Sequence, residues 1–240
     1  MDDPHKDTPF QKLEREPLWD RAHSQLRDAL LSGRFEPGSG LTLRFLAKTF
    51  GTSITPVRDA VSRLVAQGVL RQGSRSSAIV PEISEEELSH LTIIRCELEG
   101  RAALEAAKKA EPNEVQHLES LYQVMEDAVA NRDFQAYLDA HRRFHFDIYH
   151  IAAIPPLSDM IENLWLRCGP LLSLVTPEYV KLLKRKNYHA VVLNAIREGK
   201  GDDANQAIVA DIEQAAQYLV ELMDEEGRIR RPTKAWTSWE

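Results

Sequence analysis

Apolar residues first recur at helical spacing between Leu18 and Leu31. Ala22, Leu26, Ala29 and Leu30 share one face, and Gly33 supplies the stop. A turn-rich connector from Phe35 to Gly40 follows. Leu41 to Leu64 then carries two short helical patterns. In the first, Thr42 stands at the cap, Leu43, Leu46, Ala47 and Phe50 form the apolar face, and Gly51 forces a turn. In the second, Thr55 reads as the cap and Pro56 falls in the first turn, where a missing N–H is harmless. Val57, Val61, Leu64 and Val65 give that helix an apolar side, and Thr55, Arg58, Asp59 and Ser62 give it a polar one. This is the pattern of a helix-turn-helix whose second helix opens with arginine-bearing polar residues. The run Val69–Gln72 and the run Ala78–Val80 read as strands around a turn at Gly73–Ser77, so a small hairpin, or wing, follows the second helix. Arg71 and Arg75 lie on or near its tip, where they are either phosphate or minor-groove contacts or ordinary surface charge.

Beyond Pro81 the period is helical. Ser84 and Glu87 have the spacing of a capping box, and helices are expected over about 85–110, 112–130, 133–152, 156–173, 177–199 and 202–226. Breaks fall at Pro112, Asn131–Asp133, Pro155–Pro156, Pro177 and Gly199–Asp202, with no strand pattern up to Arg228. The expected fold is therefore mainly α. A polar arm (1–16) leads into a winged helix-turn-helix domain (17–80). A short linker (81–84) joins it to a bundle of roughly six helices (85–228). An aperiodic tail (229–240) carries Trp236 and Trp239, which have a place either on the body or on a partner subunit.

Charge sharpens this division. The whole chain of 240 residues carries −7, which by itself argues against nucleic acid. The stretch Arg21–Val80, however, has nine lysines and arginines against three acidic residues, a net +6, leaving −13 for the remainder. A basic module on an acidic body fits a DNA-binding domain attached to something else. The 43% hydrophobic content supports a real core, yet no apolar run approaches the roughly 20 residues that span a bilayer. The first residues lack a signal-peptide pattern, so the expected location is the cytoplasm, with no membrane partner. Cys96 and Cys168 sit in apolar helical surroundings and read as structural thiols.

The body also carries candidate chemistry. His141 and His145 are four apart on one predicted helix, so both imidazoles leave one face and a single ion could take both. Such a pair equally suits buried, metal-free histidines. His189 lies on a later helix, and Asp211 on the last. Arg95, on the first helix of the body, would attract a carboxylate if it faces the interior, and Arg167 is a second candidate. For both, a salt bridge to a neighbouring helix is the alternative. Three histidines and a carboxylate could activate water in a metal-dependent hydrolase. Against that stand the basic winged module and the absence of an HExxH arrangement, a nucleophile elbow or a phosphate-binding glycine loop. A third reading keeps DNA binding and makes the body a metal-free dimerisation domain.

Leu46-Ala47, Phe50 to Leu64 and Gly68-Val69-Leu70 resemble the signature of the GntR family of bacterial transcription regulators. Ile94-Arg95, Leu98-Glu99, Phe144-His145 and His189 to Ile196 are similar to motifs of its FadR-type subfamily, with an all-helical, ligand-responsive C-terminal (FCD) domain. The resemblance covers about Leu18 to Met223. It implies a regulator, most simply a repressor, that binds a short palindromic operator in double-stranded DNA as a homodimer and responds to a small metabolite. It implies operator contacts from Arg44, Thr55, Arg58 and the wing near Arg75. Arg58 has the same role on its own evidence, since an arginine in the first turn of a recognition helix reaches guanine edges. Many FCD domains hold a divalent metal with a carboxylate, a histidine four residues on, and two later histidines. Here His141 replaces the carboxylate and Asp211 the last histidine, so the set keeps three imidazoles and one carboxylate. His141, His145, His189 and Asp211 would suit Zn, or Ni, Mn or Fe. The implied effector is a small organic acid, such as a sugar acid or a hydroxy- or dicarboxylate, in preference to a long acyl ligand. Two further departures are Ile54, where several relatives carry arginine, and Ser76, where the wing often has glycine.

Overall fold

The computed structural model describes residues 18–74, 76–174, 187–225, 227 and 229. The chain begins with α1 (Leu18–Leu31), β1 (Gly40–Thr42), α2 (Leu43–Phe50) and α3 (Ile54–Ala66). The wing follows as β2 (Arg71–Gln72) and β3 (Ser77–Ile79). Thr42 caps α2 as expected, its hydroxyl accepting from the Phe45 amide at 3.2 Å. Gly51 ends α2 in the left-handed conformation (φ 63°), sending its N–H back to the carbonyls of Ala47 and Lys48. The start of α3 differs from expectation. Ser53, not Thr55, is its N-cap, because the chain has already re-entered extended backbone at Ser53 (φ −77°, ψ 168°). Pro56 stays within the first turn, where its missing N–H breaks no helical bond.

The wing is a three-stranded antiparallel sheet in the order β1-β3-β2, with Leu41 opposite Ala78 and Gln72 opposite Ala78 on the other side. A strand as short as β1 carries no readable period. Val69 and Leu70, expected in the hairpin, instead bury their side chains and bond their amides to the Leu64 carbonyl. Ser76 takes the left-handed conformation (φ 62°) that glycine adopts freely, so the wing turn keeps its geometry at the expense of local strain.

The body comprises α4 (Glu85–Lys109), α5 (Pro112–Asn131), α6 (Phe134–Ile151), α7 (Pro155–Cys168), a 3-10 helix (Gly169–Leu174), α8 (Tyr188–Arg197) and α9 (Gly201–Glu221). Helix α4 packs most extensively against α9, and α5 against α6. Ser84 caps α4 by accepting from the Glu87 amide at 3.2 Å. The helix expected over 156–173 divides at Gly169. Pro170 has no N–H for the Leu166 carbonyl, and its ring would clash there, so the chain tightens into the 3-10 turn. The helix expected to reach residue 226 stops at Glu221, and Met223 makes an isolated antiparallel bridge to Ile229. The helix expected over 177–199 is described only from Tyr188; residues 177–186, like the expected arm, Arg75 and the tail tryptophans, lie outside the described residues.

The two halves share a continuous core that runs from Leu26 and Leu64 to Phe144 and Ile208. Their junction is built by α1, which packs on α3 on one side and on α7 and the 3-10 helix on the other. Gly169 makes this approach possible: a β-carbon there would lie 2.2 Å from the Leu30 carbonyl oxygen. Arg27 on α1 pairs with Glu162 on α7 at 2.9 Å across the same junction.

Candidate metal centre and nucleic-acid interface

On α3, Val57, Ala60, Val61 and Leu64 are buried, which turns Arg58, Asp59 and Ser62 outward. Thr55 is also exposed at the helix start, while Pro56 is half-buried. Arg44 opens α2 beside the exposed Phe45, and Arg71 is exposed on the wing. Arg44, Arg58 and Arg71 make no ion pair among the described residues, which leaves their guanidinium groups uncommitted there. Arg63, by contrast, lies over the Trp19 ring at 5.8 Å and helps hold α3 to α1. Ile54 is 38% exposed at the entry to α3 and presents an apolar group on the same surface.

The second site lies inside the body. The i,i+4 spacing on α6 points His141 and His145 inward, where α8 contributes His189 and α9 contributes Asp211. One ligand atom from each of the four lies within 4.8 Å of the others. The Nε2 atoms of His145 and His189 are 3.1 Å apart. The Asp211 carboxylate oxygens lie 3.6 Å from His145 Nε2 and 3.7 Å from His189 Nε2. His145, His189 and Asp211 are buried, and neither His141 Nδ1 nor Asp211 Oδ1 has a hydrogen-bond partner among the described residues. A buried polar atom without a partner is destabilising by about 1–3 kcal/mol. Two such atoms belong to residues of one cluster whose donor set fits a cation.

Electrostatics agree. Burial, then the neighbouring His189 and Arg95, hold the His141 imidazole well below its ordinary pKa. Burial and the neighbouring imidazoles do the same for His145. Both are therefore neutral, the form that ligates metal. Burial raises the Asp211 carboxyl, which a divalent ion would counter.

Two residues that sequence reasoning missed orient this cluster. Glu99 is fully buried on α4. Arg95 grips it through Nε at 2.6 Å and Nη2 at 3.3 Å. The Tyr149 hydroxyl donates to the other side of that carboxylate. The Tyr149 oxygen is then free to accept, and His145 Nδ1 lies 3.1 Å away. A proton on Nδ1 leaves the lone pair on Nε2, aimed at His189 and Asp211. A carboxylate-backed hydrogen bond to the far nitrogen is the usual way that a protein sets the tautomer of a ligating histidine. The only sequence signals were the i,i+4 spacings Arg95/Glu99 and His145/Tyr149, and these do not reveal that two helices meet.

Beside the cluster opens a cavity of about 70 Å³, lined at one end by Arg95, His141, His145 and Asp211. Arg95 thus reaches the cavity, held by Glu99 and stacked 5.1 Å over Trp165. Burial opposes its charge, but Glu99 more than offsets this and raises its pKa further. Arg167 lies elsewhere. It is bound to Glu87 at 2.5 Å with a 38% exposed side chain and is not among the cavity-lining residues, which is the inter-helix salt bridge expected as the alternative. Cys168 packs in the cavity wall, and burial raises both thiols, that of Cys96 to about 11, so neither is reactive.

Comparison with known proteins matches both halves. Residues 18–80 match the family "Bacterial regulatory proteins, gntR family", and residues 90–214 match the FCD domain. The chain is 31% identical to the HTH-type transcriptional regulator McbR of Escherichia coli over 207 residues, 85% of this chain and 92% of that one. It is 24% identical over 200 residues to a probable D-xylose utilization operon transcriptional repressor of Paenarthrobacter nicotinovorans, 82% of this chain and 86% of that one. The solved structure of E. coli McbR/YncC superposes with a TM-score of 0.80 at 28% identity, covering 86% of this chain and 99% of that one.

Proposed function

Since the chain belongs to the gntR family of bacterial regulatory proteins and carries an FCD domain, we propose that it is a transcription regulator whose operator affinity is set by a divalent ion and a small organic acid bound in the helical body. That it is a DNA-binding regulator, not an enzyme, follows from the family. The remaining statements are the reading we favour. The protein works as a homodimer on a palindromic operator and most simply represses. In each half-site α3 enters the major groove, with Arg58 on a base edge and Thr55 and Ser62 near it. Arg44, Arg71 and Arg75 neutralise phosphates.

His141, His145, His189 and Asp211 would hold the ion. When bound, it supplies positive charge and open positions for an anionic ligand, with Zn the best match to this donor set and Ni, Mn or Fe acceptable. The chain's own residues do the rest. Glu99 and Tyr149 hold the His145 tautomer, burial keeps the imidazoles neutral, and Arg95 adds a fixed positive group at the cavity. The observation that carries the metal-dependent reading is the pair of orphaned buried atoms, His141 Nδ1 and Asp211 Oδ1, within one cluster of four donors. The cavity wall formed by Cys168, Gly169 and Leu171 belongs to the segment that packs on α1, which gives a bound ligand a short route to the DNA-binding half.

The test selects an operator fragment from a random-sequence duplex pool and follows its binding by anisotropy at fixed salt. The tag-free protein is titrated with Zn, with chelator, and with a panel of organic acids. A metal-dependent change in DNA affinity supports the reading. DNA binding indifferent to metal, chelator and every acid leaves a regulator with a metal-free body.

A further inference from the structure

The outward face of α3 carries one residue that neither core packing nor phosphate contact explains. Ile54, the first residue of the helix, is 38% exposed. It belongs to neither of the protein's apolar clusters, nor to the half-buried side chains packed against them. It stands four residues before Arg58, so the two side chains leave the same face. Thr55, Asp59 and Ser62, all exposed, complete that face. Its one cation and one anion cancel, and Arg63 is turned aside over the Trp19 ring. A face of zero net charge is ill suited to gripping phosphates, which attract cations and repel Asp59. It is suited to lying deeper, against base edges.

A major groove offers an isoleucine little. Guanine, adenine and cytosine display polar donors and acceptors there, and the Ile54 side chain can neither donate nor accept. Thymine adds an apolar group, its 5-methyl. Against any other base, Ile54 would strip water from a polar edge without replacing the hydrogen bond, which is unfavourable. The spacing on the helix then sets the spacing on the DNA. Four residues at about 1.5 Å each put Ile54 and Arg58 about 6 Å apart along α3, and base pairs are stacked about 3.4 Å apart. The two side chains therefore meet different base pairs, about one or two steps from each other.

We propose that Ile54 is a specificity-determining residue that reads the 5-methyl group of a thymine beside the guanine read by Arg58. This rests on the reading above, in which α3 enters the major groove. Each half-site then pairs a guanine recognised by hydrogen bonds with a thymine recognised only by burial of its methyl. Phe45, 59% exposed in the first turn of α2, does not share the role, because the helix before a recognition helix crosses the DNA backbone.

The test uses the full-length protein and the selected operator fragment, with anisotropy at fixed salt. Each thymine is replaced in turn by uracil, which pairs with adenine in the same way and lacks only the 5-methyl. At one thymine, within about two base pairs of the guanine that Arg58→Ala no longer discriminates, uracil should weaken wild-type binding about four-fold per half-site, the value of one buried methyl-sized group. Ile54→Ala should bind the thymine and uracil forms alike, whereas Phe45→Ala should keep the difference. Ile54→Arg, taken through the same random-pool selection, should exchange that thymine for guanine, which an arginine recognises bidentately. The uracil scan is made on the wild-type protein, so its outcome does not depend on whether a variant folds. The inference is overturned if no uracil near that guanine weakens wild-type binding by more than about two-fold, half of the expected effect, or if Ile54→Ala keeps the full difference. Either result leaves α3 as the recognition helix, provided that Arg58→Ala loses selectivity. If Arg58→Ala discriminates like the wild type, the recognition-helix reading itself fails, and this inference with it.

Discussion

Gly169→Ala is the sharpest perturbation of the junction between the two halves. Gly169 has helical backbone angles (φ −51°, ψ −42°), so an alanine there carries no conformational strain of its own. The obstacle is space. The new β-carbon would lie 2.2 Å from the Leu30 carbonyl oxygen, 3.0 Å from its carbon and 3.1 Å from the Leu31 α-carbon. A carbon–oxygen contact needs about 3.3 Å or more, so the two segments must part by roughly 1 Å. All three atoms are backbone, and no flexible side-chain end can yield. Overpacking of this kind is destabilising by about 1–3 kcal/mol. For a chain of this size that lowers the Tm by roughly 2–12 °C. The Arg27–Glu162 pair at the same junction offsets little, because exposed ion pairs contribute under about 1 kcal/mol. Scanning calorimetry reads the Tm, and anisotropy on the selected operator reads DNA affinity with and without ligand. The variant should bind Zn like the wild type, because Gly169 supplies no atom to the donor set, but its DNA affinity should respond less to ligand. A Tm within 1 °C of wild type, together with an unchanged ligand response, would refute both the close packing and its proposed role in coupling.

Other predictions follow from the two sites. Tyr149→Phe removes the hydroxyl between Glu99 and His145 while keeping the ring, and should weaken Zn binding about 10–100-fold in a chelator competition; unchanged affinity means that the relay does not set the tautomer. Arg58→Ala should cut discrimination between operator and random duplex by about 1–3 kcal/mol without changing the Tm, and wild-type selectivity by gel shift removes Arg58 from the interface. For the metal-free protein, His141 and His145 have folded pKa values below the ordinary 6.5, so the unfolded chain takes up protons that the folded one refuses. Their contribution to stability is present above pH 6.5 and is lost as pH falls below it, by about 1.4 kcal/mol per imidazole at one pH unit lower. Asp211, raised above the ordinary 3.8, acts in the opposite sense: its contribution is present below 3.8 and lost as pH rises through its folded value. Two imidazoles outweigh one carboxyl, so the urea midpoint should drop from pH 7 to about 5.5, and a constant or rising midpoint contradicts the burial of neutral histidines. Ser76→Gly should relieve the left-handed strain at φ 62° and stabilise the winged domain by up to about 1 kcal/mol, the sign being what thermal denaturation checks.

Local pattern accounts for much of this molecule. Helix faces follow from side-chain periodicity, which is a property of consecutive residues. That is why α1 to α7 and the outward set of Arg58, Asp59 and Ser62 were legible in the chain. The i,i+4 step of His141 and His145 was legible for the same reason. His189 and Asp211 joined them only through likeness to a family, since nothing local ties four residues on three helices. Elements shorter than one period escaped, as β1 did, and so did the start of α3, where two neighbouring hydroxyl residues could equally have capped the helix. What only the tertiary structure decided is which faces meet. Arg95 and Arg167 look alike in the chain, yet one turns inward to Glu99 and the cavity and the other outward to Glu87. Glu99 and Tyr149, fifty positions apart, become hydrogen-bonded partners only because α4 and α6 pack together. The physical reason is that burial of a helix face is set by its own period, whereas the pairing of buried polar groups is set by helix-to-helix approach. Small residues such as Gly169 control that approach without any periodic signal of their own.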